Sequence, residues 1–197
     1  MIWSAGEYGV SRVAKSGVSS EVEAGVPQRR AGDAPGPATV PVDWDSVSRF
    51  KQPEDSLGYL LWQTAHGWMR RLNSELLGMG LTHLQMIALG STAWLTRISG
   101  APSQARLAKF CAMDPMLISK VVRTLEKKRA IVRSPDPRDT RSKLLSVTDE
   151  GNRIILRCIP VIERAYEQFF AAVGESEAQL HDTLLRLFRS MKAIEGE

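Results

Sequence analysis

A basic loop stiffened by proline is the feature that most restricts how this chain can fold. Residues 134–151 read SPDPRDTRSKLLSVTDEG, and the loop separates the short apolar or β-branched runs AIVRS and KLLSV. Two such runs joined by a proline-containing turn predict a β-hairpin. Because the loop is longer than the two residues of a minimal hairpin, we expect the hairpin to project from the body of the protein.

Two short helical patterns come directly before this hairpin. Ser103 is suited to cap the first of them, whose apolar positions are Leu107, Ala108 and Phe110. After the short turn FCAMD, Asp114 and Pro115 are typical of a helix start, and the apolar side of this second helix consists of Ile118, Val121, Val122 and Leu125. The order of short helix, turn, helix and hairpin predicts a winged helix-turn-helix.

The remaining patterns predict a mainly α fold with a distinct N-terminal segment. Apolar residues recur at helical spacing over about 55–77 and again in the segment that follows Thr82, which is a candidate helix cap. The same spacing returns over about 149–194, where Thr148 or Asp149 is the candidate cap. Residues 1–52 are rich in Gly, Ser, Pro and mixed charge without a sustained period, which predicts a disordered or loosely docked tail. The folded unit is therefore expected to span 53–197, with its winged helix-turn-helix at about 81–148.

Positive charge is concentrated in the predicted winged helix-turn-helix. Residues 103–148 contain eleven Lys or Arg and four acids, a net charge of +7, whereas the rest of the chain sums to −3 and the whole to +4. Such a block favours a polyanionic partner, although a solvated charged surface is the simpler alternative.

Double-stranded DNA is the polyanion that this arrangement predicts. The second helix of a helix-turn-helix enters the major groove with its N-terminal half toward the base edges. The candidate DNA-binding residues on the two helices are Ser103, Gln104, Pro115, Met116, Ser119, Lys120 and Arg123. On the hairpin they are Arg138, Asp139, Arg141 and Lys143. A hairpin arginine can enter a narrow minor groove, and Asp139 can pair with an arginine and so keep the loop in shape before binding.

The segments LAKFCAMDPMLISKVVRTLEKK and DPRDTRSKLLSVTDEG resemble the MarR family of bacterial transcriptional regulators. The resemblance covers about Leu57 to Met191, and Asp139-Thr140-Arg141 with Leu145, Thr148 and Gly151 is its most specific part. It implies an obligate homodimer that pairs through the helices at about 55–77 and 149–194. Each subunit would present one winged helix-turn-helix to half of a pseudo-palindromic operator, and the protein would be a sequence-specific regulator, expected to be a repressor that a small effector releases.

The chain departs from the family pattern directly after the second helix. Members of the family usually have Gly-Leu after LExK, whereas this sequence has Arg129 and Ala130. A glycine there suits the left-handed residue that ends a helix, and an arginine in that conformation costs about 1 kcal/mol. Either the helix ends differently, or Arg129 gains a phosphate contact in exchange.

The resemblance also implies a pocket for a small aromatic or lipophilic effector, next to the dimerisation helices. Trp62, His66 and Trp94 are the residues expected to line it. A simpler interpretation applies to Trp62 and His66, since they belong to the helical stripe Tyr59, Trp62, His66 and Met69, which is typical of a core or a dimer interface.

Other functional classes find little support in the sequence. The three histidines are scattered and show no metal-ligand spacing with the two cysteines, and no nucleophile elbow, P-loop or dinucleotide motif occurs, so we expect no enzyme, no metal and no cofactor. No apolar run is long enough for a membrane span and no secretory signal is recognisable, which predicts a cytoplasmic protein. Two alternatives stay open: a helical protein-interaction module, and a redox-sensing regulator that uses Cys111 or Cys158.

Overall fold

The computed structural model describes residues 41–139 and 141–194. Most of the predicted N-terminal tail, residues 1–40, therefore lies outside the described residues, as does Thr140 in the hairpin loop. The chain divides between Leu60 and Leu61 into two units. In the described part of the first unit, helix α1 covers Trp44–Val47 and a 3-10 turn covers Pro53–Asp55.

The second unit contains most of the secondary structure. Helix α2, which begins in the first unit, spans Leu57–Leu77, and it is followed by α3 at His83–Ser99, α4 at Gln104–Phe110 and α5 at Pro115–Lys127. Strands β1 (Ile131–Pro135) and β2 (Lys143–Val147) form one antiparallel hairpin in which Ile131 pairs with Val147. Helix α6 covers Asp149–Phe170, and a 3-10 segment (Ala171–Ser176) leads to α7 at Glu177–Ile194. The predicted mainly α fold with a winged helix-turn-helix is confirmed.

Side-chain caps fix where four of these helices begin. Thr82 accepts a hydrogen bond from the Gln85 N–H at the start of α3, and Ser103 accepts one from the Arg106 N–H at the start of α4. Asp114 Oδ1 accepts from two N–H groups of α5 at 2.8 and 3.1 Å. Thr148, rather than Asp149, caps α6 by accepting from the Gly151 N–H. These predicted caps are confirmed, and each satisfies an amide that the helix leaves without a partner.

The core joins α3, α4 and α5 to the inner face of the hairpin, and buried residues of α2 and α6 belong to the same cluster. Its fully buried side chains include Leu89, Leu107, Ile118, Leu125 and Leu145. The predicted apolar face of α5 is buried in full, whereas α4 buries only two of its three apolar positions, Leu107 and Ala108. Phe110 is 41% exposed because it is the last residue of α4, from which the chain turns toward α5.

The end of α5 resolves the question raised by Arg129. The Ala130 N–H donates to the Leu125 carbonyl and the Arg129 N–H donates to the Glu126 carbonyl, at 2.9 and 2.8 Å, and Arg129 has a φ of +57°. These two bonds define a Schellman motif, which needs a left-handed residue where Arg129 stands. Of the two alternatives above, the first is therefore wrong. Helix α5 ends in the turn that a glycine would form, and Arg129 adopts the unfavourable left-handed conformation.

We expect Arg129→Gly to raise the free energy of unfolding by about 0.5–1 kcal/mol. Glycine removes the left-handed strain, and its greater freedom in the unfolded chain offsets part of that gain. Denaturant unfolding would measure the change, and Arg129→Ala is the matched control because it removes the same side chain and keeps the strain. A glycine variant no more stable than the alanine variant would contradict this account. If both variants also bind DNA more weakly, the phosphate contact considered above is the reason that arginine stands there.

Candidate nucleic-acid interface

A tight turn sets the angle between α4 and α5. The Cys111 N–H donates to the Leu107 carbonyl and the Met113 N–H to the Ala108 carbonyl, and Ala112 between them has a φ of +49°. A left-handed residue reverses the chain within a few residues, so α5 starts directly at Pro115. The predicted helix-turn-helix is therefore present as a short, hydrogen-bonded unit.

The outer face of α5 presents the side chains that the sequence singled out. Met116, Lys120 and Arg123 are exposed, Met116 at 71%, and Ser119 is half-buried at its position between the two faces. Pro115 occupies the first turn, where its missing N–H costs nothing. The exposed face thus combines two cations with an apolar side chain near the N-terminus of the helix.

Aspartates shape the tip of the hairpin. The Arg138 N–H donates to Asp136 Oδ1 at 2.9 Å, and the Arg141 N–H donates to Asp139 Oδ1 at 3.0 Å. The Arg141 guanidinium lies 3.4 Å from the same Asp139 oxygen, yet the Arg141 side chain is 92% exposed. The predicted pairing of Asp139 with an arginine is therefore present, and it holds the base of a side chain that extends into solvent.

Backbone hydrogen bonds attach the second hairpin strand to the start of α4. The Leu145 N–H donates to the Pro102 carbonyl at 2.9 Å, and Ser103 forms an isolated bridge with Leu144. Ser103 and Gln104 thus lie beside β2, and Lys143 is exposed at the outer end of that strand. The hairpin and the helix-turn-helix therefore form one body that presents basic side chains from both parts.

An ion pair that the sequence reasoning missed joins the hairpin to α5. Arg133 on β1 donates through Nε and Nη2 to the two carboxylate oxygens of Glu126, at 2.9 and 2.5 Å. The hydrogen bond to Arg133 holds the pKa of Glu126 below its ordinary value, with smaller effects from the charges of Arg133, Lys143 and Arg123. Seven residues and a chain reversal separate the partners, and no spacing rule within a single element detects such a pair.

The three residues predicted for an effector pocket lie on two helices. Trp62 and His66 are one turn apart on α2, with ring centroids 4.9 Å apart and His66 Nδ1 2.9 Å from the Trp62 carbonyl oxygen. Trp94 lies on α3 with the Arg97 guanidinium 5.5 Å above its ring. The described clefts on α7, at the α6–α7 junction and in the first unit are lined by other residues.

Both cysteines are shielded. Cys158 is buried with its sulfur 3.9 Å from that of Met79, and Cys111 is partly buried in the turn after α4. Burial raises the pKa of each thiol, although a hydrogen bond with Ser91 lowers that of Cys111 by a smaller amount. A higher pKa reduces the fraction of reactive thiolate at neutral pH, which weighs against the redox-sensing alternative.

Over residues 41–139 and 141–194, no group of three or more His, Cys, Asp or Glu side chains is placed to hold a metal ion. In the same ranges, no helix combines the length and the apolar character that crossing a bilayer requires.

Comparison with known proteins gives a consistent answer. The sequence model of the MarR family matches residues 94–143. The uncharacterized HTH-type transcriptional regulator YdcH of Bacillus subtilis is 38% identical over 136 residues, which cover 69% of this chain and 91% of that protein.

Solved structures share the fold at lower identity. The S. aureus MepR–DNA complex matches with a TM-score of 0.61 at 21% identity, over 71% of this chain and 99% of that chain. CouR from Rhodococcus jostii RHA1, bound to p-coumaroyl-CoA, matches with a TM-score of 0.60 at 23% identity, over 70% of this chain and 95% of that chain. With the hairpin, the helix-turn-helix and the YdcH match in agreement, this chain belongs to the MarR family and is a DNA-binding transcriptional regulator.

Proposed function

We propose that this regulator binds double-stranded DNA as a homodimer and that each subunit contacts two adjacent grooves. Helix α5 enters the major groove, and the hairpin places Arg141 in the neighbouring minor groove. The observation that carries the proposal is the 92% exposed Arg141 side chain, held at its base by Asp139 on a hairpin attached to the helix-turn-helix. A narrow minor groove has strongly negative potential, which favours a guanidinium.

The exposed residues divide by the DNA groups they suit. Arg123 and Lys120 are able to reach guanine edges or phosphates, and Met116 can contact a thymine methyl. On α5, Pro115 can likewise offer only apolar contact, and Ser119 can serve either a base edge or a phosphate. The backbone contacts that set the register are assigned to Ser103 and Gln104 at the start of α4 and to Arg138 and Lys143 on the hairpin. Base readout is thus assigned to α5, whereas the hairpin and α4 supply mainly position and affinity.

Exposed apolar side chains support dimerisation through the terminal helices. Helix α7 has no buried residue, although it is amphipathic, and Leu184, Leu187, Phe188 and Met191 are all exposed. On α2, Trp62 and Met69 are likewise exposed. Apolar faces of this extent are typical of protein interfaces. We therefore assign residues 81–148 to DNA binding and residues 55–77 and 149–194 to dimerisation, within a family-like unit at 53–197 that follows the tail at 1–52.

We propose repression relieved by a small aromatic or lipophilic effector as the mode of regulation. The p-coumaroyl-CoA bound to CouR supports this class of ligand, and Trp62, His66 and Trp94 offer aromatic surface for it. An effector that binds better to one half-site spacing would shift the population away from the DNA-binding form. A regulator of this kind is expected to act in the cytoplasm and to catalyse no reaction.

Selection of bound sites from random duplex DNA tests the proposal. We expect enrichment of a pseudo-palindrome, with half-sites about one helical turn apart, and binding that weakens steeply with salt as phosphate counterions are released. Failure to enrich any sequence, or an asymmetric site with affinity independent of salt, would contradict the proposal and favour the protein-interaction alternative.

A further inference from the structure

We propose that Glu126 and Arg133 form a positioning pair that sets the angle of the hairpin to α5, and through it the distance between the two DNA-contacting elements. The inference rests on the proposed function, because the angle matters only if both elements bind one duplex. Arg133 is then no DNA contact, although it is one of the eleven cations in the basic block.

The location of the pair along the hairpin supports this role. Ile131, Arg133 and Pro135 alternate along the same side of β1, and opposite them stand Val147, Leu145 and Lys143. Ile131 and Leu145 are buried, whereas Pro135 and Lys143 are exposed. Arg133 therefore stands where the hairpin leaves the core, at the base of its outer half.

The two strands are restrained by different means. Strand β2 is attached through backbone bonds to Pro102 and Ser103, whereas β1 is joined to α5 through the bidentate pair of Arg133 with Glu126. A two-pronged guanidinium–carboxylate contact fixes direction as well as distance. Both side chains are only about 30% exposed, so solvent screens the pair less than it screens a fully exposed one. Loss of the pair would let β1 swing relative to α5 while β2 keeps the hairpin folded.

The charges around Glu126 indicate a second consequence. Lys143 on β2 and Arg123 on α5 both act on this carboxylate, so one acidic group offsets part of the repulsion among three cations. Without it, Arg123, Arg133 and Lys143 would repel one another between the helix and the hairpin. Glu126 thus allows α5 and the hairpin to carry several cations close together without being pushed apart by their repulsion.

The double variant Glu126→Gln/Arg133→Gln tests the inference because it leaves the net charge unchanged. On a site selected with the wild-type dimer, we expect affinity to fall about fivefold to tenfold, which corresponds to about 1–1.4 kcal/mol. The slope of affinity against salt should stay the same, since no phosphate contact is removed. Hydroxyl-radical protection at the hairpin's minor groove should weaken more than protection at the half-site centre.

A second charge-neutral double variant is the control for the loss of an ion pair. Asp45→Asn/Lys51→Gln also leaves the net charge unchanged; it removes a 2.7 Å pair outside the residues assigned to DNA binding and dimerisation, and it should leave affinity unchanged. Unchanged affinity and footprint in the Glu126/Arg133 variant would overturn the inference, as would a smaller salt slope, which would make Arg133 a phosphate contact. If the wild-type protein itself selects no site, the proposed function fails instead. Circular dichroism of each variant would verify that the fold is intact.

Discussion

Arg141→Ala is expected to weaken specific DNA binding by at least thirtyfold. The dimer carries the residue twice, and each well-placed arginine contact contributes about 1–3 kcal/mol. The loss should arise from the guanidinium alone, because Asp139 shapes the loop through the Arg141 N–H, which alanine keeps. Titration of a labelled selected duplex at fixed salt would measure the change.

Two companion variants separate the roles of the cations. Arg141→Lys keeps the charge and should recover only part of the affinity, since a lysine lacks the planar fork of donors. Arg123→Ala should relax the preference at one base pair if it reads guanine, or lower affinity evenly across sequences and reduce the salt slope if it binds phosphate. Arg49→Ala, outside the residues assigned to DNA binding and dimerisation, is the control for loss of an exposed arginine. Near-wild-type binding by both Arg141→Ala and Arg123→Ala would favour a protein partner.

Gly151→Ala is expected to destabilise the fold by about 2–4 kcal/mol. A Cβ at this position in the first turn of α6 would overlap the Ala130 carbonyl and lie 2.7 Å from Val147 Cγ1. The carbonyl cannot easily withdraw, because it accepts the Thr148 N–H at 3.1 Å and so joins the end of α5 to the start of α6. Overpacking against backbone is among the costlier core changes, and it outweighs the better helix propensity of alanine.

Gly67→Ala is the matched control on α2. Its Cβ would meet the ring of Phe169 at 3.8 Å, an ordinary van der Waals contact, so helix propensity should make this variant as stable as the wild type or slightly more so. Urea unfolding of both variants would test the comparison. Equal stability of Gly151→Ala and wild type would show that α6 does not pack against the Ala130 carbonyl as described.

Local chemistry made the helix starts predictable. Thr82, Ser103, Asp114 and Thr148 each supply a side-chain oxygen directly before an apolar helical pattern, and each caps the helix that follows it. The hairpin was predictable for the same reason, because its strands and turn residues are adjacent in sequence. Interactions of this kind depend on a few neighbouring residues and vary little with the tertiary fold.

Features that depend on distant partners could not be predicted. The phase of the seven-residue helix α4 is too weakly defined by its few apolar positions to show that Phe110 would be exposed. Arg133 looked like one more member of a basic block, because only the folded chain brings Glu126 against it. The left-handed Ala112 has no signal at all in its residue type. The assignment of Trp62, His66 and Trp94 to a pocket depends on packing of the same long-range kind.

Dimethyl sulfate protection on a selected operator tests the central claim most directly, because the reagent methylates guanine N7 in the major groove and adenine N3 in the minor groove. The account predicts that each half-site shows protection in both grooves, and that Arg141→Ala loses the minor-groove protection while the guanines under α5 stay protected. Protection confined to one groove, or minor-groove protection that persists without Arg141, would contradict it.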